Sequence, residues 1–410
     1  MQKIEIKNFG PISNAEIEIK KILVLIGDNA MGKSTVTKLI SNFVWMEKAL
    51  FRSSEKEWFE KENRFKNFFL SYHRNESFLK EDTVIEYHGK AFVIKYSNNK
   101  ISIENQTDKD NNYQLPQIMY VPAERNFLTY LRTTKDLQSG GALQDFEREL
   151  TKASENLEKT LSLPIRDFEI EYNKRHKMLY VKNKNHTKIK ITEAASGLQS
   201  AVPLFLVSDY LSKLVHNSRN IDTMKSSDIR EFEKDTDKIA DEIFNNILND
   251  KNLSEKQKHI AIAKISSKIS PLSNKFNRKA FINIVEEPEQ NLFPMSQMQL
   301  VKSLVEICNK NTDNKLIIST HSPYVLATIN NLILAHKVGE KFSEKVAKKV
   351  NRNLWLNKND VFAGIIKDGK VEKIIDPEFD IIQQEHIDSV SQIINEEFDY
   401  LYQYKTTENA

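Results

Sequence analysis

A run of eight residues, Gly27 to Ser34, combines the residue types that bind phosphate. It satisfies the G-x-x-x-x-G-K-[ST] pattern of a phosphate-binding loop. The glycines allow backbone angles and a close approach that a Cβ atom would prevent, so that successive N–H groups face the anion. We expect Lys33 to reach the β- and γ-phosphates and the Ser34 hydroxyl to ligate Mg²⁺. The predicted nucleotide contacts are Gly27, Asp28, Asn29, Ala30, Met31, Gly32, Lys33, Ser34 and Thr35.

Two adjacent carboxylates, Glu286 and Glu287, follow an apolar run at residues 281–285. A carboxylate at the end of a strand can hold Mg²⁺ opposite a phosphate loop, directly or through water. A second carboxylate beside it can orient and deprotonate an attacking water molecule. We therefore assign Glu286 to the metal and Glu287 to the catalytic base.

A histidine, His321, follows a second strand-like run at residues 316–320. Its imidazole can donate to a γ-phosphate or hold the attacking water. We predict a catalytic role for His321 beside Lys33 and Glu287.

A second anion-binding pattern, Ser196-Gly197-Leu198-Gln199, opens an apolar helix. A hydroxyl, free N–H groups and the helix dipole favour phosphate at such a helix start. Because the chain already contains a phosphate loop, we expect Ser196, Gly197 and Gln199 to contact the nucleotide of a neighbouring subunit. Pro203 lies early in this helix and is expected to bend it.

The hydrophobic patterns predict a mixed α/β fold whose strands position these groups. Residues 83–104 indicate an antiparallel meander of short strands, residues 126–163 indicate mostly helix, and residues 168–191 return to strands. Other strands are predicted at 2–9, 15–19, 22–26, 117–121, 281–285, 315–319, 361–366 and 370–375.

A polar region at residues 210–279 has few strand formers and helical apolar spacing, which predicts a helical hairpin inserted into the main domain. This hairpin could pack against the main domain or contact a partner protein, and the sequence does not decide between the two roles. The predicted division is an N-terminal lobe at 1–209, the insertion at 210–279, a C-terminal lobe at 280–385 and a C-terminal helix or tail at 386–410.

The composition excludes several classes of protein. The net charge of +3 over 410 residues gives no strong indication of nucleic-acid binding. With one cysteine, Cys308, the chain can form no internal disulfide, which fits a reducing cytoplasm. No apolar run has the roughly 18 residues of a membrane span. We expect a cytoplasmic protein without a signal peptide.

These motifs, in this order, resemble the ABC-class ATPases of the SMC, RecF and OLD type. The residues 4–12 are similar to the first strand and turn of that group, and Ser196–Gln199 to its signature motif. Glu286–Pro294 resembles its Walker B and D-loop, and Thr320–Pro323 its switch histidine. The resemblance implies an ABC-type head, hydrolysis of ATP with Mg²⁺, and a head-to-head homodimer that sandwiches two nucleotides. Whether such dimers form higher oligomers is left open.

The Glu-Glu-Pro-Glu form of residues 286–289 and the stretch Tyr120–Arg125 are more narrowly similar to OLD-like ATPases of bacterial anti-phage systems, such as Septu, retron-associated and PARIS-like subunits. Leu198 and Glu286 depart from the transporter pattern, which has glycine and aspartate there. Glu124 and Arg125 lie near the position of the Q-loop of the class, but neither is the usual glutamine. Gln117 lies on the preceding strand, so the residue equivalent to the Q-loop glutamine is left unassigned.

The resemblance favours an ATPase that gates or senses for a separate effector, such as a nuclease or toxin, in anti-phage defence. The Asp-x-Asp pattern at Asp235 and Asp237 lies in the predicted insertion instead of after an apolar strand, so we expect no nuclease activity in the chain itself. A RecF-like DNA-binding ATPase is the alternative, with DNA as a partner of the basic residues between Lys174 and Lys190. A transporter subunit is a third possibility, which the N-terminal strand, the departure at Leu198 and the predicted hairpin disfavour. A non-hydrolysing scaffold that uses ATP only to dimerise is the fourth.

Overall fold

The computed structural model describes residues 2–52, 55–106, 113–129, 141–183, 187–216, 279–383 and 389–407. Within these ranges the chain is a mixed α/β protein, which confirms the predicted fold class. The predicted helical insertion lies almost entirely outside the described residues, as do Asp235 and Asp237. Across the described part of the chain, none of the helices combines the length and apolarity needed to cross a bilayer.

Eleven strands form the main sheet. They are β1 (Lys3–Phe9), β2 (Ile12–Glu18), β3 (Ile22–Ile26), β4 (Leu79–His88), β5 (Phe92–Ser97), β6 (Lys100–Asn105), β7 (Pro116–Val121), β12 (Ala280–Glu286), β13 (Lys315–Thr320), β14 (Val361–Lys367) and β15 (Lys370–Lys373). The order across the sheet is β6-β5-β4-β1-β2-β15-β14-β3-β13-β12-β7. The strands predicted from alternation and from apolar runs are therefore present, with β2 and β4 each starting a few residues earlier than expected.

The parallel half of this sheet contains β7, β12, β13, β3 and β14. Ile26 pairs with Thr320, and Glu286 pairs with Ser319. The carboxyl ends of β3, β13 and β12 therefore meet at one edge of the sheet. Since β3 and β12 are buried along their whole length, their apolar runs fit strands that are covered on both faces.

The other half of the sheet is mainly antiparallel. β1 pairs with β2 and β4, and β4, β5 and β6 follow as a meander. This arrangement confirms the meander predicted for residues 83–104. Ile4 and Ile6 on β1, which alternate with charged residues, are both fully buried.

A second, antiparallel sheet has four strands in the order β11-β10-β9-β8. They are β8 (Leu161–Ser162), β9 (Glu169–Asn173), β10 (Met178–Lys182) and β11 (Lys188–Lys190). β8 lies where helix was predicted. That prediction is wrong at residues 161–162 because this dipeptide pairs with Ile170 and Glu169 of β9, a contact between chain segments that local periodicity does not encode.

Seven α-helices occur among the described residues. They are α1 (Lys33–Arg52), α2 (Lys56–Glu60), α3 (Ala142–Glu155), α4 (Ser196–His216), α5 (Pro294–Asn309), α6 (Pro323–Ala347) and α7 (Ser389–Thr407). A π-helical turn at Phe65–Leu70 buries Phe65 and Phe69. α1 packs under the sheet directly after β3, and α4, α5 and α6 pack with its parallel half.

Candidate nucleotide site

The loop between β3 and α1 has the backbone that a phosphate loop requires. Gly27, Ala30 and Gly32 have φ values of 154°, 62° and 100°. A Cβ atom at Gly27 would lie 2.6 Å from the carbonyl oxygen of Ile366 on β14, so only glycine fits there. Asp28, Asn29 and Ala30 at the crest of the loop are exposed, Gly27 and Met31 are half-buried, and Gly32 is buried. The loop is thus anchored at its ends and open at its crest.

The Lys33 side chain turns back into this loop. Its Nζ donates to the carbonyl oxygens of Gly27, at 2.8 Å, and Asp28, at 2.7 Å. Burial lowers the pKa of Lys33, while the negative charges of Glu287, Glu289 and Asp28 oppose that shift. A partly desolvated cation held at the base of a loop of free N–H groups is suited to bind a polyphosphate.

His321 lies between Lys33 and Glu287. Its Nδ1 is 3.2 Å from Lys33 Nζ, and its Nε2 is 3.5 Å from Glu287 Oε1. Because an ammonium can only donate, these partners assign the proton of a neutral imidazole to Nε2, facing the carboxylate. The structure therefore brings together the three residues predicted to be catalytic, although Lys33 and Glu287 are 254 positions apart along the chain.

Glu286, next to Glu287 in the chain, is held by a separate set of partners. Tyr120 OH donates to its Oε1 at 2.6 Å, and the Ala123 N–H donates to its Oε2 at 3.0 Å. The side chain is almost fully buried. Tyr120 OH is also 3.5 Å from Thr37 Oγ1 on α1, which ties the carboxylate to the helix of the phosphate loop.

The donor set fits Mg²⁺ in its chemistry. Ser34 is half-buried at the first turn of α1, and Thr35 is buried beside it. The Ser34 hydroxyl and the Glu286 carboxylate supply the oxygen ligands that Mg²⁺ prefers. Each oxygen of Glu286 receives one hydrogen bond and retains acceptor capacity for a metal-bound water.

Two buried charged residues beside these groups had no assigned role in the sequence. Glu289 accepts the backbone N–H of His321 at 2.7 Å, and its burial raises the pKa of its carboxyl. Arg125 is fully buried and donates to the backbone carbonyls of Glu286, at the end of the carboxylate strand, and of Ser200 on α4. Both residues belong to quoted motifs, but their charge alone gave no sign that they are buried.

The start of α4 lies against the loop that follows β12. A Cβ atom at Gly197 would be 2.5 Å from the Asn291 carbonyl oxygen, which explains the glycine. Ser196 is exposed, whereas Gln199 is buried and donates to the Thr192 carbonyl at 3.2 Å. Of the predicted contacts on this helix, Ser196 is therefore presented to solvent, and Gln199 is engaged within its own chain.

The model of the AAA ATPase domain family matches residues 1–326, about four-fifths of the chain. The chain belongs to this AAA ATPase family. The match includes the phosphate loop, the Glu286–Glu287 pair and His321. No curated protein matches the chain in sequence.

Solved structures show weaker likenesses. The SMC head domain from Thermotoga maritima is 10% identical, with a TM-score of 0.34, over 80% of this chain and 90% of that one. A dimeric ATP-binding cassette in a post-hydrolysis state, bound to ADP and Pi, is 11% identical, with a TM-score of 0.30, over 90% of this chain and 96% of that one. At these scores the likenesses carry no argument about the AAA ATPase family member described here.

Proposed function

We propose that this chain binds ATP with Mg²⁺ and hydrolyses it. The observation that carries the proposal is the contact series from Lys33 through His321 to Glu287 at the carboxyl edge of the parallel strands. It joins a phosphate-binding cation, an imidazole and a carboxylate base at one place. Bound Mg²⁺ would supply charge neutralisation at the phosphates, with Ser34 and Glu286 as its protein ligands.

The roles of the residues follow from their positions. Lys33 holds the β- and γ-phosphates, and the loop N–H groups surround them. Glu287 orients the attacking water and accepts its proton at a carboxylate oxygen. His321, with a proton on Nε2, donates toward the γ-phosphate or the water, and Glu289 fixes its backbone through the N–H bond.

The test is a substitution of the base. Glu287→Gln should lower kcat for ATP hydrolysis by about 10²- to 10⁴-fold while ATP binding is kept, because the amide still fits the site but cannot accept the proton. Glu306→Gln, at an exposed position on α5, is the matched control and should hydrolyse ATP as the wild type does. Unchanged turnover in Glu287→Gln would remove Glu287 as the base.

We further propose an ATP-sandwich homodimer. It is supported by four apolar side chains that are each about half exposed or more and lie close in sequence to site residues. They are Phe127, Phe293, Met295 and Tyr324. Ser322 donates to Gln297 at 2.5 Å and Gln297 donates to the Leu292 carbonyl at 2.8 Å, so the starts of α5 and α6 lie together beside His321. Exposed apolar groups around a nucleotide edge fit burial against a second copy.

The biological role we propose is gating of a separate effector, a nuclease or toxin, in anti-phage defence. Its support is the resemblance of Glu286–Pro294 and Tyr120–Arg125 to OLD-like ATPases. Expression of the chain with its neighbouring genes should lower the plating efficiency of phage, and Lys33→Ala should restore it. An adjacent permease gene, with no protection from phage, would contradict this role.

DNA binding is the second candidate, favoured by the β9–β10 hairpin. Lys174, Arg175 and Lys177 are exposed at its tip, whereas Lys188 and Lys190 form ion pairs with Glu171 and Glu193. If the tip contacts phosphates, affinity for duplex DNA should fall steeply with salt. A Lys174→Glu, Lys177→Glu variant should lose the ATP-dependent shift of duplex DNA at low salt, and no shift in the wild type would dismiss this function.

A further inference from the structure

The fully buried guanidinium of Arg125 joins three segments of the chain. It donates to the carbonyl oxygens of Pro122 at 3.2 Å, Glu286 at 2.7 Å and Glu287 at 2.6 Å, and its Nε donates to Ser200 at 3.1 Å. These carbonyls belong to the end of β7, the end of β12 and the second turn of α4. All four acceptors are backbone atoms, so the side chain fixes main-chain positions.

The bond to Glu287 supports an unusual backbone. Glu287 has a φ of 44°, in the left-handed region that L side chains rarely adopt. Its N–H donates to the Ser319 carbonyl at 2.8 Å, and its own carbonyl accepts Arg125 Nη2. Such a conformation persists only where the surroundings hold it. Three bonds hold it here, one at its N–H and two at its carbonyl, which also accepts the Gln290 N–H at 3.1 Å. In this conformation the carboxylate lies 3.5 Å from His321 Nε2.

The bond to Ser200 reaches α4 one residue beyond a gap in its helical hydrogen bonds. Pro203 has no N–H, so the carbonyl of Gln199 lacks its helical donor, and Arg125 Nε donates to the carbonyl of the next residue, Ser200. Ser200 Oγ also donates to Gln290 Oε1, at 3.1 Å, in the loop after β12. The first turns of α4 are thus linked twice to the segment that contains the proposed base and its loop, once through Arg125 and once directly through Gln290.

We propose that Arg125 is a positioning residue that holds Glu287 in its water-activating orientation and couples that orientation to the seating of α4. A displacement of α4 would pull on the guanidinium and release the Glu287 backbone. The start of α4 carries Ser196, so contact with a second copy's nucleotide and readiness of the base change together. The inference rests on the proposed ATP hydrolysis and ATP-sandwich dimer.

The first test is Arg125→Lys, which keeps the charge but cannot reach four carbonyls. We expect kcat to fall about 10-fold or more, because misplacement of a catalytic group by a fraction of an ångström is costly. The KM for ATP and the affinity of the separate protomer should stay at wild-type values, which a general loss of structure would not allow. A folded Arg125→Lys protein with wild-type kcat would overturn the inference.

A milder pair of variants keeps the inference testable if Arg125→Lys does not fold. Ser200→Ala removes the bond to Gln290 without disturbing the guanidinium. Ser208→Ala is the matched control, because Ser208 is also fully buried on α4 and is bonded to β12 through Asn283 Nδ2, at 2.9 Å, farther along the helix. Ser200→Ala should lower kcat at unchanged KM, and Ser208→Ala should not. Equal effects of the two variants would overturn the coupling.

A double variant completes the test. If Arg125 and Ser200 act in one network, Arg125→Lys with Ser200→Ala should lower kcat no further than Arg125→Lys alone. Multiplication of the two single effects would contradict the shared network. Absence of turnover in the wild-type protein would overturn the proposed function and this inference with it, whereas wild-type turnover with an unaffected Arg125→Lys overturns the inference alone.

Discussion

The starts of α1 and α4 have similar sequence signals but different surroundings. At α1 the chain supplies three groups beside the predicted phosphate position: a loop with left-handed glycines, the buried Lys33, and His321 from the end of the neighbouring strand. At α4 the glycine packs against the Asn291 carbonyl and Ser196 is exposed. One helix start is enclosed by its own chain, and the other is presented outward. The contrast supports a nucleotide site divided between two copies.

The two helix starts are supported by the same strand. The end of β12 contacts α1 through Glu286, Tyr120 and Thr37, and it contacts α4 through Arg125. A displacement of either helix can therefore change the position of the proposed base. The following predictions test whether the enclosed and the outward helix start differ as described.

The largest effect is expected at the enclosed helix start. Lys33→Ala should weaken ATP binding about 100-fold or more, since it removes a buried charge from the phosphates. The fold should be kept, because the partners of Lys33 are loop carbonyls and His321. Calorimetric titration of ATP measures this, with Lys38→Ala on the same helix as control. Micromolar binding by Lys33→Ala would show that the loop does not bind triphosphate.

A different effect is expected at the outward helix start. Ser196→Arg should prevent ATP-driven dimers, because the longer side chain occupies the position of the second copy's phosphate. ATP affinity of the separate protomer should not change. Sedimentation with ATP in a Glu287→Gln background, where hydrolysis is slow, measures the dimer. Normal ATP-driven dimers of the Ser196→Arg variant would contradict the claim that the start of α4 contacts the nucleotide of a second copy.

The seating of α4 is tested by Gly197→Ala. The added Cβ would lie 2.5 Å from the Asn291 carbonyl, so the helix or the loop must move. We expect a loss of about 1–3 kcal/mol in the free energy of unfolding. Urea denaturation measures it, and Ser196→Ala at the neighbouring exposed position serves as control. Equal stability of the two variants would mean that α4 is not held against this loop.

The smallest effect concerns the support of the enclosed site. His73 packs against Tyr120, with ring centroids 4.6 Å apart, and burial, followed by the charge of Lys38, lowers the pKa of His73 from 6.5 to about 3. Below pH 6.5 the unfolded chain binds this proton first, so stability falls as the pH drops toward 3. We expect about 1 kcal/mol to be lost from this group between pH 7 and pH 5.5.

The variant His73→Phe should remove this part of the acid sensitivity. Urea denaturation at the two pH values, for the variant and the wild type, gives the difference. His176→Asn, which changes an exposed imidazole on the β9–β10 hairpin, is the control. The same pH dependence in wild type and His73→Phe would show that His73 is not buried as a neutral ring.

Much of the fold could be predicted because local patterns encode it. The apolar runs that became β3, β12 and β13 and the alternation in β1 are visible without any partner strand. The helix start at Lys33 follows from the glycine loop. The order of strands across the sheet needs contacts between distant segments, and the place of β14 beside β3 was not predicted. The proposed insertion lies outside the described residues and stays a prediction.

The sequence predicted which side chains form the candidate site but not the hydrogen bonds that join them to the rest of the chain. Lys33, Glu287 and His321 are recognisable by type and by position after strands. The burial of Arg125 is not, because its carbonyl partner at Glu286 is 161 positions away and an arginine after a strand is usually exposed. The nearby Pro203 does not signal this contact either, because it frees the carbonyl of Gln199, whereas Arg125 donates to the carbonyl of Ser200.

The position of β14 limits how far the chain can be shortened. This strand follows residue 326, where the family match ends, yet it pairs along β3 from Val361 to Ile365 and its Ile366 carbonyl covers Gly27. A protein cut at the family boundary would leave one side of β3 without hydrogen-bond partners and would remove one wall of the phosphate loop. Such a fragment should be insoluble or unable to hold nucleotide, although it contains every recognised motif.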